Sequence, residues 1–303
     1  MSVTLRTPEP ADAEAWAAVR LSCTPYQVFT ADGIRHWWAT TSPEARQLLL
    51  IAEVDGRTVG IARGALNTWT SEEGAAGLNA MVHPEFRGLG IGTRLYDALA
   101  DHLATAGARR VKVWACDEPA ATEFLGRRGY ERTHELRFSR LDLTGELPPM
   151  PALPDGVTVA SAAEVGPRGV FAVDSVAMED EPDDITTDAV AYDDWIREIW
   201  EGPELDLDAS TVVLVDGQPA SLTLIEADHA TGRIWSGGTG TLREHRGKGY
   251  AKLAKSVAVR RAAERGITTA YTSNDEVNRP MLAVNEWLGY RPCARQWAYL
   301  KTL

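Results

Sequence analysis

Residues 78–92 read LNAMVHPEFRGLGIG, and residues 237–251 read GGTGTLREHRGKGYA. Each begins with a short strand-like run, passes through a polar turn and reaches Arg-Gly-x-Gly-x before a small residue. Arg87 and Arg246 are 159 positions apart. Downstream, TRLYDALADHLATAGARRVKVWAC and KLAKSVAVRRAAERGITTAYTSN each predict an amphipathic helix, a turn at Gly107 or Gly266, and a strand. Each half then carries a short helix ending in Gly129-Tyr130 or Gly289-Tyr290, 160 apart. Upstream, Val3-Thr4-Leu5 resembles Val157-Thr158-Val159, 154 apart. A spacing that holds from end to end is an internal repeat.

The repeat divides the 303 residues into an N-terminal domain over 1–146 and a C-terminal domain over 157–303. Between them lies LPPMPALPDG, residues 147–156, whose four prolines rule out a helix or a central strand and predict a semi-rigid linker. The first copy reads strand 3–6, helix 11–20, helix 31–40, strands 48–54, 58–67 and 76–82, loop, helix 91–106, strand 110–116, helix 119–127 and strand 131–141. Asp55-Gly56 and Asp216-Gly217, each flanked by apolar runs, predict tight hairpins. The expected fold class is α/β, more closely α+β with a mixed sheet, built twice in tandem.

In each copy the glycines fall between a strand and a helix. Loop N–H groups and the following helix N-terminus would then converge on one spot, a seat for a diphosphate. Glycine lets the backbone come close there, and Arg87 and Arg246 would add positive charge or brace the loop. A turn needs glycine in any case, so one loop alone says little; two, at matched positions, say more. Neither loop reads G-x-x-x-x-G-K-[ST], which disfavours a P-loop nucleotidase. Neither sits in a βαβ unit with G-x-G-x-x-G and a following acid, which disfavours a dinucleotide fold.

Arg87-Gly88-Leu89-Gly90-Ile91-Gly92 and Arg246-Gly247-Lys248-Gly249-Tyr250-Ala251 both resemble the [Arg/Gln]-x-x-Gly-x-[Gly/Ala] signature of the GNAT N-acetyltransferase superfamily. The resemblance covers nearly the whole chain, once per half, and the tandem layout is similar to that of two-domain members such as mycothiol synthase. It implies that acetyl-CoA is the co-substrate and that the loop amides hold its diphosphate. It also implies that the preceding strand, Ala80, Met81 and Val82 or Thr239, Gly240 and Thr241, pairs with the pantetheine arm. A backbone N–H there would polarise the thioester carbonyl, and an amine would attack directly, without an acyl-enzyme. Proximity would supply much of the acceleration.

The chain departs from the family at three places. Many relatives carry a tyrosine four residues before the Gly-aromatic pair, which protonates the departing thiolate; here Leu125 and Asn285 stand there. Leucine has no acid chemistry, and asparagine can only donate a hydrogen bond. With a thiol pKa near ~8.5 the leaving group tolerates that. An asparagine that often contacts CoA is kept as Asn278 but replaced by Glu118 in the first copy, which favours the second copy as the catalytic one. Relatives of this layout place a glutamate base on the strand before the loop, where this chain has Ala76 and Trp235. Glu226, Asp228 and His229, near the second hairpin, are the substitutes on offer for a base, with Glu226 the candidate. Solvated turn residues are the plainer reading, and a water chain is another route.

By resemblance, the helices after the first strand shape the acceptor pocket. In the second copy these hold Met178 through Asp184, then Tyr192, Asp193, Asp194, Trp195 and Trp200. Carboxylates beside aromatics could hold a cationic amine; a solvated acidic loop over core tryptophans is the plainer reading. Asp188 or Thr187 is placed to cap the following helix, and Trp37-Trp38 takes the equivalent place in the first copy, where core packing is expected.

Composition sets limits. The hydrophobic content of 44% with 24% charged residues is that of a folded chain. A net charge of -12 disfavours nucleic acid and anionic membranes as partners and suits a small amine. Cys23, Cys116 and Cys293 are scattered and odd in number, without metal-ligand spacing, so no metal and a reducing cytoplasm are expected. The opening MSVTLRTPEP lacks an apolar signal core. The leading expectation is acetyl transfer from acetyl-CoA to a small-molecule primary amine. A peptide or protein N-acetyltransferase and a non-catalytic acyl-CoA sensor or scaffold stay open, as does a homodimer.

Overall fold

The computed structural model describes residues 2–303. The first copy runs β1 (Val3–Arg6), α1 (Ala13–Cys23), α2 (Ala31–Thr40), β2 (Leu48–Val54), β3 (Arg57–Leu66), β4 (Ala75–Val82), α3 (Ile91–Ala106), β5 (Arg110–Cys116), α4 (Pro119–Gly126) and β6 (Glu131–Asp142). The second runs β7 (Val157–Ser161), α5 (Ala162–Val165), α6 (Pro167–Glu179), α7 (Tyr192–Trp195), β8 (Thr211–Val215), β9 (Gln218–Asp228) and β10 (Arg233–Thr241). It closes with α8 (Tyr250–Glu264), β11 (Thr269–Asp275), α9 (Arg279–Leu288) and β12 (Arg291–Thr302). A single π-helical turn, Ile196–Trp200, extends α7.

Both hairpins form as expected. Asp55 and Gly56 have φ of 50° and 78°, and Asp216 and Gly217 have 49° and 78°. Two successive left-handed residues match the twist of the flanking strands, and glycine takes that region without a steric cost. The segment expected to begin a helix at a cap on Thr187 or Asp188 is instead irregular; α7 starts three residues later, from Ala191, with no side-chain cap.

Two compact units result, one of residues 1–136 with 295–303 and the other of residues 137–294. In the first, β1 to β4 form an antiparallel meander and β4 pairs parallel with β5 through the α3 crossover. The strand beyond β5 is β12, from the end of the chain, antiparallel from Gln296↔Cys116 to Thr302↔Arg110. In the second unit the order is β11-β10-β9-β8-β7, with β6 beside β11. The sequence divisions at 146 and 157 follow the repeat, whereas the compact units follow strand pairing: residues 295–302 of β12 belong to the first unit and residues 137–142 of β6 to the second. The expected linker, 147–156, has no helix or strand and belongs to the second unit.

The core explains why β2 reads as an unbroken apolar run. Leu50 and Ala52 face α3, whose Ile91, Leu95, Leu99 and Leu103 form one buried stripe at four-residue spacing. Ile51 faces the other way, towards Ala13, Trp16 and Ile34 of α1 and α2, with Trp37 and Trp38 packed alongside. A strand covered on both sides has no polar face to show. The second unit repeats the plan. Leu253 of α8 covers one side of its sheet, while Val173 and Trp195 pack against Leu222 and Leu224 on the other. Among the described residues no helix is long and apolar enough to cross a membrane.

Tyr299 tests the exchanged strand. It lies in the second copy's sequence, is 2% exposed, packs in the core of the first unit, and its hydroxyl bonds Thr122 at 2.8 Å. Tyr299→Ala is expected to destabilise the first unit by roughly 3 kcal/mol in urea unfolding. A loss below 1 kcal/mol would show that β12 contributes little to that unit.

Candidate functional site

The parallel pairing of β10 with β11 spans three residue pairs, Arg233↔Thr269 to Trp235↔Tyr271. Beyond Trp235 the strands part, and residues 239–241 pair only through their other edge, to Thr223, Leu222 and Ser221 of β9. The register to β9 slips between Ser236 and Thr239, a bulge. A bulge turns main-chain groups out of the ladder; here Ser236 O accepts from Thr272 Oγ1, Gly237 O from Thr239 Oγ1 and Gly240 O from Ser221 Oγ, while Gly237 to Thr241 line the gap. That gap is a cleft of about 650 Å³. Gly247, Gly249, Tyr250 and Ala251 line one end, and Asp174, Lys255 and Asn278 line its walls.

The loop at that end is shaped by conformation. Gly247 and Gly249 have φ of 76° and 83°, matched by 78° and 76° at Gly88 and Gly90. A Cβ at any of the four would meet nothing within 4 Å, so it is the left-handed backbone that calls for glycine here, and no crowding. Gly249 and Gly90 are the N-caps of α8 and α3 and offer no side chain to the first turn. The first N–H groups of each helix are thereby left to an outside anion. The arginines are braces. Arg246 Nε donates to Thr241 O at 3.0 Å and its guanidinium pairs with Asp180. Arg87 Nε donates to Val82 O at 3.2 Å and Nη1 to Glu118 at 2.9 Å.

The remaining expected residues divide. Asn278 lines the cleft and caps α9, its Oδ1 accepting from Met281 N at 3.3 Å. Asn285 is 3% exposed; its Nδ2 donates to Asn274 Oδ1 at 2.5 Å, and Asn274 lines the cleft. Glu226 stands on β9 opposite Trp235, exposed and outside the cleft wall. Asp228 is tied up in its own turn by Ala230 and Thr231, and His229 faces Asp206 at 3.3 Å. Of the acidic stretch, Met178, Asp180 and Glu181 reach the cleft. Hydrogen bonds from Arg243 and Arg246 hold the Asp180 carboxyl down at about 2. Tyr192 and Trp200 pack around Trp195 in the core. In the first copy, Ala80, Met81 and Val82 keep an unbroken register with Ala62, Ile61 and Gly60, without a bulge.

Two buried ionisable residues in the cleft wall were not singled out by sequence reasoning. Lys255 on α8 is 1% exposed; its Nζ lies 3.5 Å from Thr272 Oγ1, and burial lowers it to about 7. Asp174 on α6 is equally buried, and burial raises it to about 6 against the opposing hydrogen bond from Trp195. Both sit at helix positions whose neighbours are apolar, so amphipathic periodicity would have placed them inward; a polar residue on the buried stripe was the available signal.

A model of the acetyltransferase (GNAT) family matches residues 13–130. The chain is 30% identical over 232 residues to a mycothiol acetyltransferase of Nocardioides sp., covering 71% of this chain and 76% of that one. It is 28% identical over 214 residues to a mycothiol acetyltransferase of Streptomyces coelicolor, covering 69% and 66%. Among solved structures, a GCN5-related N-acetyltransferase from Sphaerobacter thermophilus superposes with a TM-score of 0.73 at 18% identity, over 99% of this chain and 95% of that one. A tandem GNAT protein of the clavulanic acid biosynthesis pathway also gives 0.73, at 19% identity over 99% and 98%. At those identities the structures speak for the fold alone.

Lys255 makes stability depend on pH. Its folded value lies below its unfolded one, so the unfolded chain binds the extra proton between about pH 7 and 10, and stability rises with pH across that window. Lys255→Met removes the cost of burying the charge. The variant is expected to be more stable than the parent at pH 6, by on the order of 5 kcal/mol, with the gap closing towards pH 10. Parallel melting curves at all pH values would refute the assignment.

Proposed function

The chain belongs to the acetyltransferase (GNAT) family, and from that premise we propose that its second repeat moves the acetyl group of acetyl-CoA to the primary amine of a small molecule. The observation that carries the choice of repeat is the bulge at Ser236–Thr239, set beside an uncapped helix and splayed strands. These features fit acetyl-CoA part by part. The amides around Gly247 to Ala251 suit its diphosphate, and the free edge of Thr239, Gly240 and Thr241 suits the pantetheine amides as an added strand. An N–H freed by the bulge suits the thioester oxygen, where donors stabilise charge that develops only during attack. Lys248 and Lys252 add positive charge near the loop. Asn278 borders the same channel, and Asn285 holds Asn274 against it.

The amine approaches from the α6 and α7 side, where Glu181 and Met178 reach the cleft. A small molecule is favoured over a peptide because the Nocardioides relative, about three-quarters of whose length this chain covers, is named for mycothiol and not for a peptide or protein. The first repeat is assigned a scaffold role. Its β4 is unbulged, and the Glu118 carboxylate that pairs Arg87 places negative charge where Asn278 stands in the second. In descent the chain is two repeats, 1–146 and 157–303, joined by 147–156.

Free-thiol release from acetyl-CoA across a panel of small amines and short peptides tests this reading. Gly249→Val strains a left-handed position and is expected to lower kcat/KM by about 100-fold. If Gly90→Val abolishes turnover instead, the first repeat is the working centre; if peptides outpace small amines, the acceptor class is wrong.

A further inference from the structure

An amine that attacks a thioester must give up a proton, and neither Asn285 nor Asn278 can take it. Asp174 has the chemistry. It is 1% exposed; Oδ2 accepts from Trp195 Nε1 at 2.8 Å, and Oδ1 has no hydrogen-bond partner among the described residues. Burying a carboxylate with half its acceptor capacity unused is costly, and packing alone does not repay it. Oδ1 lies against Gly238: a Cβ there would come within 2.9 Å of it. Gly238 lies inside the bulge. The unpartnered oxygen, the missing side chain and the freed amides therefore coincide on the wall of one cleft.

The first repeat lacks all of this. At the 154-residue offset that relates β1 to β7, Asp174 matches Arg20, whose guanidinium stacks 3.7 Å from the Phe29 ring. At the loop offset of 159, Gly238 matches Asn79 in the unbulged β4.

We propose that Asp174 is the catalytic base of the second repeat, its Oδ1 taking the proton from the acceptor's amine nitrogen as that nitrogen bonds to the thioester carbonyl carbon. This rests on the second repeat being the working centre. The nitrogen lone pair forms the C–N bond, the carbonyl π pair moves onto oxygen, and the N–H proton passes to Oδ1. When the oxygen's pair returns, the C–S bond breaks and the thiolate leaves with its electrons. The proton on Asp174 then passes to the thiolate through solvent in the cleft. Amine and acetyl-CoA thus become amide and CoA thiol.

The surroundings suit the task. Burial holds the carboxyl near 6, ionised at neutral pH and more basic than an ordinary aspartate. From α7 the group facing it is the uncharged Trp195; β9 and β10 present Leu224 and Gly238. The other charged and titratable groups lining the cleft are Lys252 and Lys255 of α8, with Asp180, Glu181, His245, Arg246 and Tyr250.

Thiol release with the best amine of the panel, measured from pH 5 to 9 alongside calorimetric acetyl-CoA binding, tests the role. Asp174→Asn keeps an acceptor for Trp195 and removes the base. It is expected to bind acetyl-CoA within roughly two-fold, lose about 100-fold in kcat and lose the acid limb near pH 6. Trp195→Phe should keep the limb and move it to higher pH, since that hydrogen bond lowers the carboxyl. Should Asp174→Asn not fold, Gly238→Ala sets a methyl against Oδ1 and is expected to lower kcat about 10-fold with acetyl-CoA affinity unchanged. An aspartate that only props up the fold would leave the pH profile in place. Asp174→Asn within three-fold of the parent with its acid limb intact overturns the proposal, and so does loss of that limb in Glu226→Gln instead. A parent that binds acetyl-CoA and acetylates no amine sinks the functional reading; a parent that turns over beside an equally active Asp174→Asn sinks Asp174 alone.

Discussion

A main-chain N–H or C=O that leaves its ladder must find another partner or bear a desolvation cost of roughly 1–3 kcal/mol. The second repeat is organised around strand β10, which breaks that pairing rule twice. It parts from β11 after Trp235, and it slips against β9 between Ser236 and Thr239. The glycine loop adds a third set of open donors at the start of α8. These groups border a single cleft, so one ligand with carbonyls, amides and phosphates along its length can satisfy them in turn. The side chains hold the arrangement open: Arg246 ties the loop to Thr241 O, and Ser221 Oγ bonds Gly240 O at 2.7 Å.

The first repeat shows which parts of the design can be kept without the chemistry. Its loop has the same left-handed glycines and the same arginine brace, and its strands also part, after Gly77↔Lys112. What it lacks is the slip in register, the small residue at the slip and the buried acid. Glu118 occupies Arg87 where Asp180 occupies Arg246. The pair illustrates how a binding architecture and a reaction centre separate: the former lies in backbone shape, the latter in a few positions that backbone shape leaves free.

Much of this was legible in the sequence, because glycines and periodicity report on backbone. The Asp-Gly hairpins, the four-residue stripe of α3 and the two Arg-Gly-x-Gly loops each answer a local demand, and each formed where the residues called for it. Asp174 and Lys255 were not read, since a buried charge is defined by what surrounds it, and those neighbours come from distant segments such as Trp195 and Thr272. The bulge was hidden for a related reason: the run Ser236-Gly237-Gly238 is consistent with any loose strand until its partner's register is known. The exchange by which β12 closes the first unit was invisible because both copies end in the same Gly-Tyr-strand pattern. Local pattern fixes that a strand follows, and only the sheet decides which one.

That exchange bears on how the chain is made. The first unit is complete only when residues 295–303 arrive to cover β5. On the ribosome, residues 1–136 emerge well ahead of them, by roughly ten to thirty seconds at ordinary elongation rates. Until those residues pair with it, the edge of β5 from Arg110 to Cys116 lacks its β12 partner, and unpaired edges recruit wrong partners. A chain built this way cannot finish its first unit until its last residues have been made, so the order of synthesis and the order of folding differ.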